Sequence, residues 1–462
     1  MNYLFVIILF FFSAFSVFAE STKVTVRSSS KTVELVSLSD LSVVPVKKIL
    51  QKELKPGDVF EQEIDITESQ YYMCIFHHTF YHFFIKPGKA LEIELLPDGE
   101  VVLKGAYANL NNLMVKIARN DSLKDKYTQQ LRSGKVLLNR ERFDEYKNQY
   151  DACLKLLKGT NLTGPERKLA MGCIQGLFLD NIYKPVIDSK IFGKSNKAEI
   201  TTEYALALVN LKIVPELVYY PGWGEFLREW MYTQMMAGKL KLSDPDLWIA
   251  EWGKSIRNDL LRDKFIDHLI NREVVMGYFD PRTKERFETA KRLVKDPEIV
   301  KNIDLNIAKI NVGIEHPDVS ECAFENVEGK KVSLGDFKGK YVFLDFWGTG
   351  CSPCIAEMPY FHALEQKLEG EQIVFVSVAL QREKASWIYF MKEHQLSDNQ
   401  FVMPDLNKNP IWEKIGLSGI PRFVLIGPDS KVIIKHCYCP SNPILEMQLR
   451  AIINSDEPKN GI

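Results

Sequence analysis

Residues 346–354 read FWGTGCSPC, in which two residues separate Cys351 from Cys354. The apolar run 341–344 precedes this segment, and residues 355–368 after it have a helix-like pattern. The first turn of a helix offers unpaired backbone N–H groups and a partial positive charge, and both favour a cysteine thiolate. A thiol pair at a strand-to-helix junction therefore predicts a redox site.

The composition is typical of a folded protein of several domains. The chain has 462 residues, which predicts two or three domains. Its 59 Lys and Arg residues nearly balance its 60 Asp and Glu residues. This balance gives no reason to expect binding to nucleic acid or to an anionic membrane surface.

The first 19 residues predict export to the periplasm or cell envelope. Residues 4–12 form a continuous apolar run, and residues 17–19 (VFA) resemble a signal-peptidase site before Glu20. No Lys or Arg precedes the run, so the terminal amine alone supplies the positive charge there. An uncleaved membrane anchor is the alternative.

Eight cysteines are too few for a disulfide-dense scaffold of this length. In the oxidising surroundings of an exported chain, a close thiol pair is either a stable disulfide or a working redox pair. The state of the others stays open, and Cys322 could pair with Cys437 or Cys439. The remaining cysteines are Cys74, Cys153 and Cys173.

Hydrophobic patterning divides the mature chain into three regions and predicts a multidomain fold. Residues 20–105 show short alternating segments between turn residues, typical of a β-rich, sandwich-like domain. Residues 106–312 have few Gly or Pro and carry apolar residues at helical spacing. From residue 313 the predicted order is strand, helix, strand, helix, strand, strand, helix. Its segments after the first strand and the dithiol helix are 373–380, 383–394, 422–426, 432–434 and 444–453.

The last third of the chain resembles the TlpA/ResA-like exported thioredoxins, because several motifs occur in the same order. The N-terminal two thirds resemble, more loosely, the strand-plus-helix extensions that such proteins carry in Bacteroidetes-type bacteria. The matching residues are Pro317, Gly329-Lys330, Leu334, Phe337-Lys338-Gly339-Lys340, Phe346-Trp347, Cys351-Ser352-Pro353-Cys354, Glu357, Pro359 and Gly419-Ile420-Pro421.

The two thiols have different predicted roles. Cys351 at the helix start is the candidate nucleophile, and Cys354, most of a turn deeper, is the candidate resolving thiol. The alternatives are a structural disulfide or half of a metal site, for which Cys437 and Cys439 are the obvious additional ligands. We predict a redox disulfide with neither a metal nor a cofactor.

Two acidic residues accompany the thiols. Asp345 lies inside a predicted buried strand, where burial should raise its pKa. The resemblance implies that it exchanges a proton with Cys354; a buried carboxyl satisfied by backbone donors is the alternative. The resemblance also places Glu357 near the dithiol, where its charge would raise the thiol pKa values. A solvated glutamate on the helix surface is the alternative for Glu357.

The resemblance further implies a cis proline at Pro421 facing the dithiol, with the Ile420 backbone turned toward a substrate peptide. An ordinary trans turn proline is the alternative. Trp347, Ser352 and Pro353 complete the predicted substrate-binding residues. Gly350 stands where such motifs usually carry a second tryptophan, so partner choice and reduction potential stay open.

Two clusters outside this segment have a structural and a functional interpretation. A metal site is conceivable at Cys74, His77, His78 and His82, but we favour ordinary strand residues. Core packing is the favoured interpretation of the helical-region tryptophans, with a groove for client proteins as the alternative. These tryptophans are Trp223, Trp230, Trp248 and Trp252.

These patterns predict an exported thiol–disulfide oxidoreductase that reduces disulfides of partner proteins. In an oxidising compartment it would need electrons from a membrane thiol carrier. A thioredoxin-fold peroxidase is one alternative. The peroxide-reducing cysteine of such enzymes follows a proline and has a Thr or Ser three residues before it. Here Thr349 is only two residues before Cys351, and no proline precedes Cys351 in the motif. A non-enzymatic binding protein with a structural disulfide is the other. The role of residues 20–312 stays open between client docking, dimerisation and surface retention.

Overall fold

The structure is a computed structural model. The predicted export signal at residues 1–19, together with His77 and His78, lies outside the residues that it describes. These are residues 20–29, 34–40, 47–66, 69–76, 79–119, 136–192, 198–310, 316–381, 383–394, 396, 399–403, 409–417 and 419–455.

The chain divides into two compact units, each of which is described by itself. The division falls within the predicted helical region, and the domain boundaries after residues 105 and 312 stay predictions. The first unit comprises Met1–Ser133, Leu137–Pro185 and Glu199–Ala237. The second comprises Gly134–Val136, Val186–Ala198 and Gly238–Ile462.

The first unit begins with two four-stranded sheets whose buried residues form one hydrophobic cluster, as in a β-sandwich. The alternating pattern explains this arrangement, since Leu91, Ile93 and Leu95 all point into the core. The first sheet has the order β4 (Val59–Ile66), β1 (Glu20–Ser28), β7 (Leu91–Leu95), β8 (Val101–Gly105). The second has the order β3 (Lys47–Leu54), β2 (Glu34–Asp40), β5 (Gln70–Phe76), β6 (Thr79–Ile85).

Helices follow the sandwich, as the sequence predicted. Pro165 lies at the start of a helix and Pro221 just before another, where proline is tolerated. The helices are α1 (Ala108–Ala118), α2 (Arg140–Lys158), α3 (Gly164–Phe192), α4 (Thr202–Val209) and α5 (Trp223–Met236). A two-stranded sheet, β9 (Val136–Leu138) with β10 (Ala198–Ile200), accompanies them.

Helix α3 packs very closely at two of its glycines, Gly172 and Gly176. A Cβ atom at Gly176 would lie 2.1 Å from Cγ of the Tyr220 ring, and one at Gly172 would lie 2.2 Å from the carbonyl oxygen of Glu216. Only glycine allows this approach, so a side chain at either position would force the packing partner to move.

We expect Gly176→Ala to lower the free energy of unfolding of the first unit by about 1–3 kcal/mol, because the new methyl group overlaps a buried ring. Denaturant unfolding followed by circular dichroism would measure it. Gly164→Ala at the start of the same helix is the control, since no atom of the described residues lies within 4 Å of its Cβ position. Equal effects of the two substitutions would contradict the packing argument.

The second unit contains the helices α6 (Trp248–Ser255), α7 (Asp259–Met276), α8 (Thr283–Lys291) and α9 (Pro297–Ile310). Trp248 and Trp252 are buried and pack edge to face, with ring centroids 4.7 Å apart. Core packing therefore explains these two tryptophans.

A mixed sheet completes the second unit, and its central strand β13 (Tyr341–Trp347) is buried at every residue. β13 pairs in parallel with β14 and antiparallel with β16. The sheet has the order β12 (Lys331–Ser333), β11 (Ala323–Glu325), β15 (Gln400–Val402), β14 (Ile373–Ala379), β13, β16 (Arg422–Ile426), β17 (Val432–Ile434). Its helices are α10 (Ser352–Lys367), α11 (Lys384–Glu393), α12 (Ile411–Ile415) and α13 (Pro443–Ser455).

This architecture confirms the predicted multidomain fold class, with strand sheets, a helical region and a C-terminal α/β region. Strand β17 ends at Ile434, so Cys437 and Cys439 lie after the last strand. Among the described residues, no helix combines the length and apolar character needed to cross a bilayer.

Candidate active site

The dithiol lies where the central strand leads into a helix. β13 ends at Trp347, and Cys351 occupies the N-cap position of α10, where its sulfur accepts a hydrogen bond from the Cys354 N–H at 3.2 Å. The two sulfurs form a disulfide with an S–S distance of 2.00 Å. Cys351 is half-buried, whereas Cys354 is 3% exposed. Of the two sulfurs, Cys351 is therefore the one that a partner molecule can reach.

The residues around Cys351 leave it open on one side. Gly350 and Ser352 are exposed, and no atom in the described part of the chain lies within 4 Å of a Cβ placed at Gly350. Pro353 lies in the first turn of α10, where its missing N–H removes no helical hydrogen bond. Gly350, which stands where such motifs usually carry a second tryptophan, thus leaves free space beside Cys351.

Asp345 lies within β13, opposite Ser377 of β14 and Phe423 of β16. It is 5% exposed, and its Oδ1 atom has no hydrogen-bond partner among the residues that the structure describes. Burial raises the pKa of Asp345 well above its usual value, and the charge of Glu357 raises it further against a smaller opposing effect of Ser377. The protonated carboxyl is accordingly favoured over a wide pH range.

Glu357 of α10 is buried, which excludes a solvated glutamate on the helix surface. Ser441 holds both carboxylate oxygens: its backbone N–H donates to Oε2 at 2.8 Å, and its hydroxyl donates to Oε1 at 2.7 Å. Hydrogen bonds to a charged acceptor are stronger than neutral ones. Sequence reasoning missed Ser441, because nothing near it in the chain points to a carboxylate 84 residues away.

The Ile420–Pro421 peptide bond is cis. Ile420 is partly buried and packs, as Cys351 does, against the cluster that contains Trp347 and Cys354. Ile420 therefore lies next to the residues that surround the dithiol.

Trp347 needs a correction as a predicted substrate-binding residue. It is fully buried, and its ring lies 5.2 Å from that of Phe390. A side chain without exposed surface cannot touch a substrate, so Trp347 supports the dithiol from within the core. Ser352, Pro353 and Ile420 keep some exposure and remain candidates for that contact.

Comparison with known proteins matches the same part of the chain. A family model described as thioredoxin-like matches residues 339–432. The thiol-disulfide oxidoreductase ResA of Bacillus thuringiensis subsp. konkukian (strain 97-27) is 34% identical over 125 residues, covering 27% of this chain and 69% of that protein. The chain belongs to the ResA-like thiol-disulfide oxidoreductases.

Two further matches are also described as thiol-disulfide oxidoreductases. ResA of Bacillus anthracis is 32% identical over 125 residues, covering 27% of this chain and 69% of that protein. A crystal structure of the thioredoxin domain of a thiol-disulfide oxidoreductase from Bacteroides vulgatus is 26% identical, with a TM-score of 0.28, covering 31% of this chain and 100% of that one. The ResA relatives confirm the prediction of a thiol–disulfide oxidoreductase.

The remaining cysteines of this ResA-like chain do not join the dithiol. Within the described residues, Cys322 and Cys437 are buried and form no disulfide, and burial raises the pKa of both thiols. Cys74 is buried in the sandwich core, and His82 packs against the Tyr220 ring at 5.3 Å. The described part of the chain contains no group of three or more His, Cys, Asp or Glu residues placed to hold a metal ion.

Proposed function

We propose that this protein is exported and reduces disulfides of partner proteins by exchange through Cys351 and Cys354. The observation that carries the proposal is the unequal exposure of the two sulfurs at the start of α10. Cys351 can meet a partner, while Cys354 is shielded directly behind it. The names of the ResA relatives support thiol–disulfide exchange.

The reaction begins with both thiols reduced. The Cys351 thiolate attacks one sulfur of the partner disulfide, forming a Cys351–partner bond and releasing the other partner sulfur as a thiolate that takes a proton. The Cys354 thiol then gives its proton to a base, and its sulfur attacks the Cys351 sulfur. The second partner thiol leaves, and two electrons have passed from the dithiol to the partner.

Asp345 is the proposed base for the resolving step, acting on Cys354 directly or through a water molecule. Burial raises the pKa of the Asp345 carboxyl, which makes its ionised form a stronger proton acceptor, as general-base catalysis requires. Glu357 keeps a negative charge close to Asp345, and the Ile420 backbone beside Pro421 pairs with the partner peptide.

Export and the electron source form the last part of the proposal. Residues 1–19 would direct the chain to the periplasm or cell envelope. Because oxidation of Cys351 and Cys354 ends each cycle, a membrane thiol carrier would have to reduce the pair again.

Trapping of partners tests the proposal in cells. In a Cys354→Ala variant the Cys351–partner bond cannot be resolved internally, so partner proteins should accumulate as adducts that a thiol reductant releases. Mass spectrometry of the released proteins would identify them. A Cys351→Ala, Cys354→Ala chain is the control and should trap nothing. Failure of Cys354→Ala to form any adduct, with a Cys351 that still reacts with an alkylating agent, would remove the proposal.

A further inference from the structure

A segment after the last strand connects the helical part of the second unit with the dithiol helix. Residues 437–442, which we call the connecting segment, lie between β17 and α13. The Cys437 N–H binds the Phe423 carbonyl of β16 at 2.8 Å, which fixes the segment at one end. Ser441 near the other end makes the two hydrogen bonds to Glu357 described above. The position of this segment therefore sets the position of the Glu357 carboxylate.

Tyr438 fastens the middle of the connecting segment to helix α7. Its side chain is buried, and its hydroxyl donates to Oε2 of Glu273 at 2.5 Å. The Tyr438 ring also packs against Tyr278, with ring centroids 4.7 Å apart, and against Trp248 at 6.5 Å. These contacts come from residues between 248 and 278, outside the thioredoxin-like match at 339–432.

Glu273 is itself held in a buried polar network. Arg286 of α8 lies 3.8 Å from Glu273 and donates to Asp280 at 2.5 Å, while Gln448 of α13 donates to the same Asp280 oxygen at 2.6 Å. Glu273, Asp280 and Arg286 are almost fully buried. Breaking such a network leaves polar groups without partners in the core, so it holds its members in one arrangement.

We propose that Tyr438 and Ser441 are positioning residues for the redox site: helices α7 and α8 hold the connecting segment through Tyr438, and Ser441 holds the Glu357 carboxylate beside Asp345. The helical region thereby adjusts the acidity of the dithiol. This role deepens the proposed function and rests on it for its importance in turnover.

The charge of Glu357 is the physical link to the thiols. Glu357 follows Cys354 by three residues on α10, which places both on one side of the helix. A fixed negative charge there opposes formation of a thiolate at the dithiol. Other titratable or charged groups that interact with Glu357 or the connecting segment include Asp345, Tyr360, Arg422, Cys437, Glu273, Tyr278, Asp280 and Arg286.

The test is the pH dependence of Cys351 alkylation in the reduced full chain, with the Cys351 peptide quantified by mass spectrometry. Glu357→Gln should move the midpoint of the alkylation-rate curve to lower pH by about half a unit or more, because it removes the negative charge that opposes thiolate formation. Ser441→Ala and Tyr438→Phe should move it in the same direction by a smaller amount, since the carboxylate is no longer held. In a Glu357→Gln background, neither change should move the midpoint further.

A matched control separates positioning from general damage. Tyr341→Phe removes another buried tyrosine hydroxyl, which binds the Ile452 carbonyl at 3.5 Å, and should leave the midpoint unchanged. Near-ultraviolet circular dichroism would show that each variant is folded. Because Ser441 is half-buried and Tyr438 is buried, Ser441→Ala should disturb the packing less than Tyr438→Phe. Shifts that persist undiminished in the Glu357→Gln background, or no shift with Ser441→Ala, would overturn the inference.

The alkylation measurement needs no partner protein, so the inference and the proposed function can fail separately. A native chain that shows the expected midpoint shifts but reduces no protein disulfide would remove the function and keep the positioning role. Active reduction of protein disulfides with unchanged midpoints in the Ser441 and Tyr438 variants would do the reverse.

Discussion

Replacing Cys351 with serine should lower the catalysed rate of protein-disulfide reduction by about a thousandfold or more. Cys351 is the N-cap of α10 and the more exposed of the paired sulfurs, so the proposed cycle begins with its thiolate. A serine hydroxyl at this position is not appreciably ionised at neutral pH and cannot form a mixed disulfide. The rate would be measured with a model protein disulfide and excess dithiothreitol, after subtraction of the uncatalysed reaction.

Cys153→Ala is the matched control for the loss of a thiol. Cys153 is buried in the first unit, and burial raises the pKa of its thiol to about 11, so it should not take part in exchange. Its removal should leave the rate of disulfide reduction within about twofold of the native value. Substantial activity in Cys351→Ser would show that another thiol carries the reaction.

Replacing Asp345 with asparagine should slow the resolving step by about a hundredfold. Asparagine keeps the shape of the side chain but cannot accept a proton from Cys354. The first step should change little, because Cys351 attacks without help from this carboxyl. Single-turnover measurements from a preformed mixed disulfide on Cys351 would isolate the resolving step. Equal slowing of both steps would contradict a role in proton transfer.

The pH dependence of the two steps gives a second readout for Asp345. Since the pKa of Asp345 is raised, the carboxylate that accepts the Cys354 proton becomes more abundant as the pH rises. The resolving step of the native chain should therefore become faster as the pH rises and Asp345 ionises. In Asp345→Asn, the part of this pH dependence that comes from Asp345 should be absent. An identical pH profile in both chains would exclude Asp345 as the base.

The free energy of unfolding shows whether the Asp345→Asn variant is folded, and it also depends on the pKa of Asp345. A carboxyl whose pKa is raised on folding binds its proton more tightly in the folded state, so its stabilising effect is complete at low pH and is lost as the pH rises through the folded-state pKa. An asparagine at this position does not ionise, so Asp345→Asn does not lose stability in this way as the pH rises. It should be more stable than the native chain by about 1–3 kcal/mol at pH 8, with a smaller difference at pH 5. Denaturant unfolding at the two pH values would measure it.

Local sequence was enough to locate the dithiol, the strand that carries Asp345 and the hairpin of β16 and β17. Each of these rests on neighbouring residues: an apolar run, a cysteine pair at a helix start, or turn residues between two short strands. The short strands β11, β12 and β15 were missed, because three residues are too few to show a period. Strand β17 is equally short, but the turn residues 427–430 before it indicated a hairpin.

Only the tertiary structure placed the partners of the acidic residues. Glu357 meets Ser441 from 84 residues away, and Glu273 meets Tyr438 from 165 residues away. Burial of Trp347 and of Glu357 likewise depends on segments that pack over them from elsewhere in the chain. Sequence patterns report the preferences of nearby residues, whereas hydrogen bonds and burial between distant segments arise only when the sheet and helices assemble.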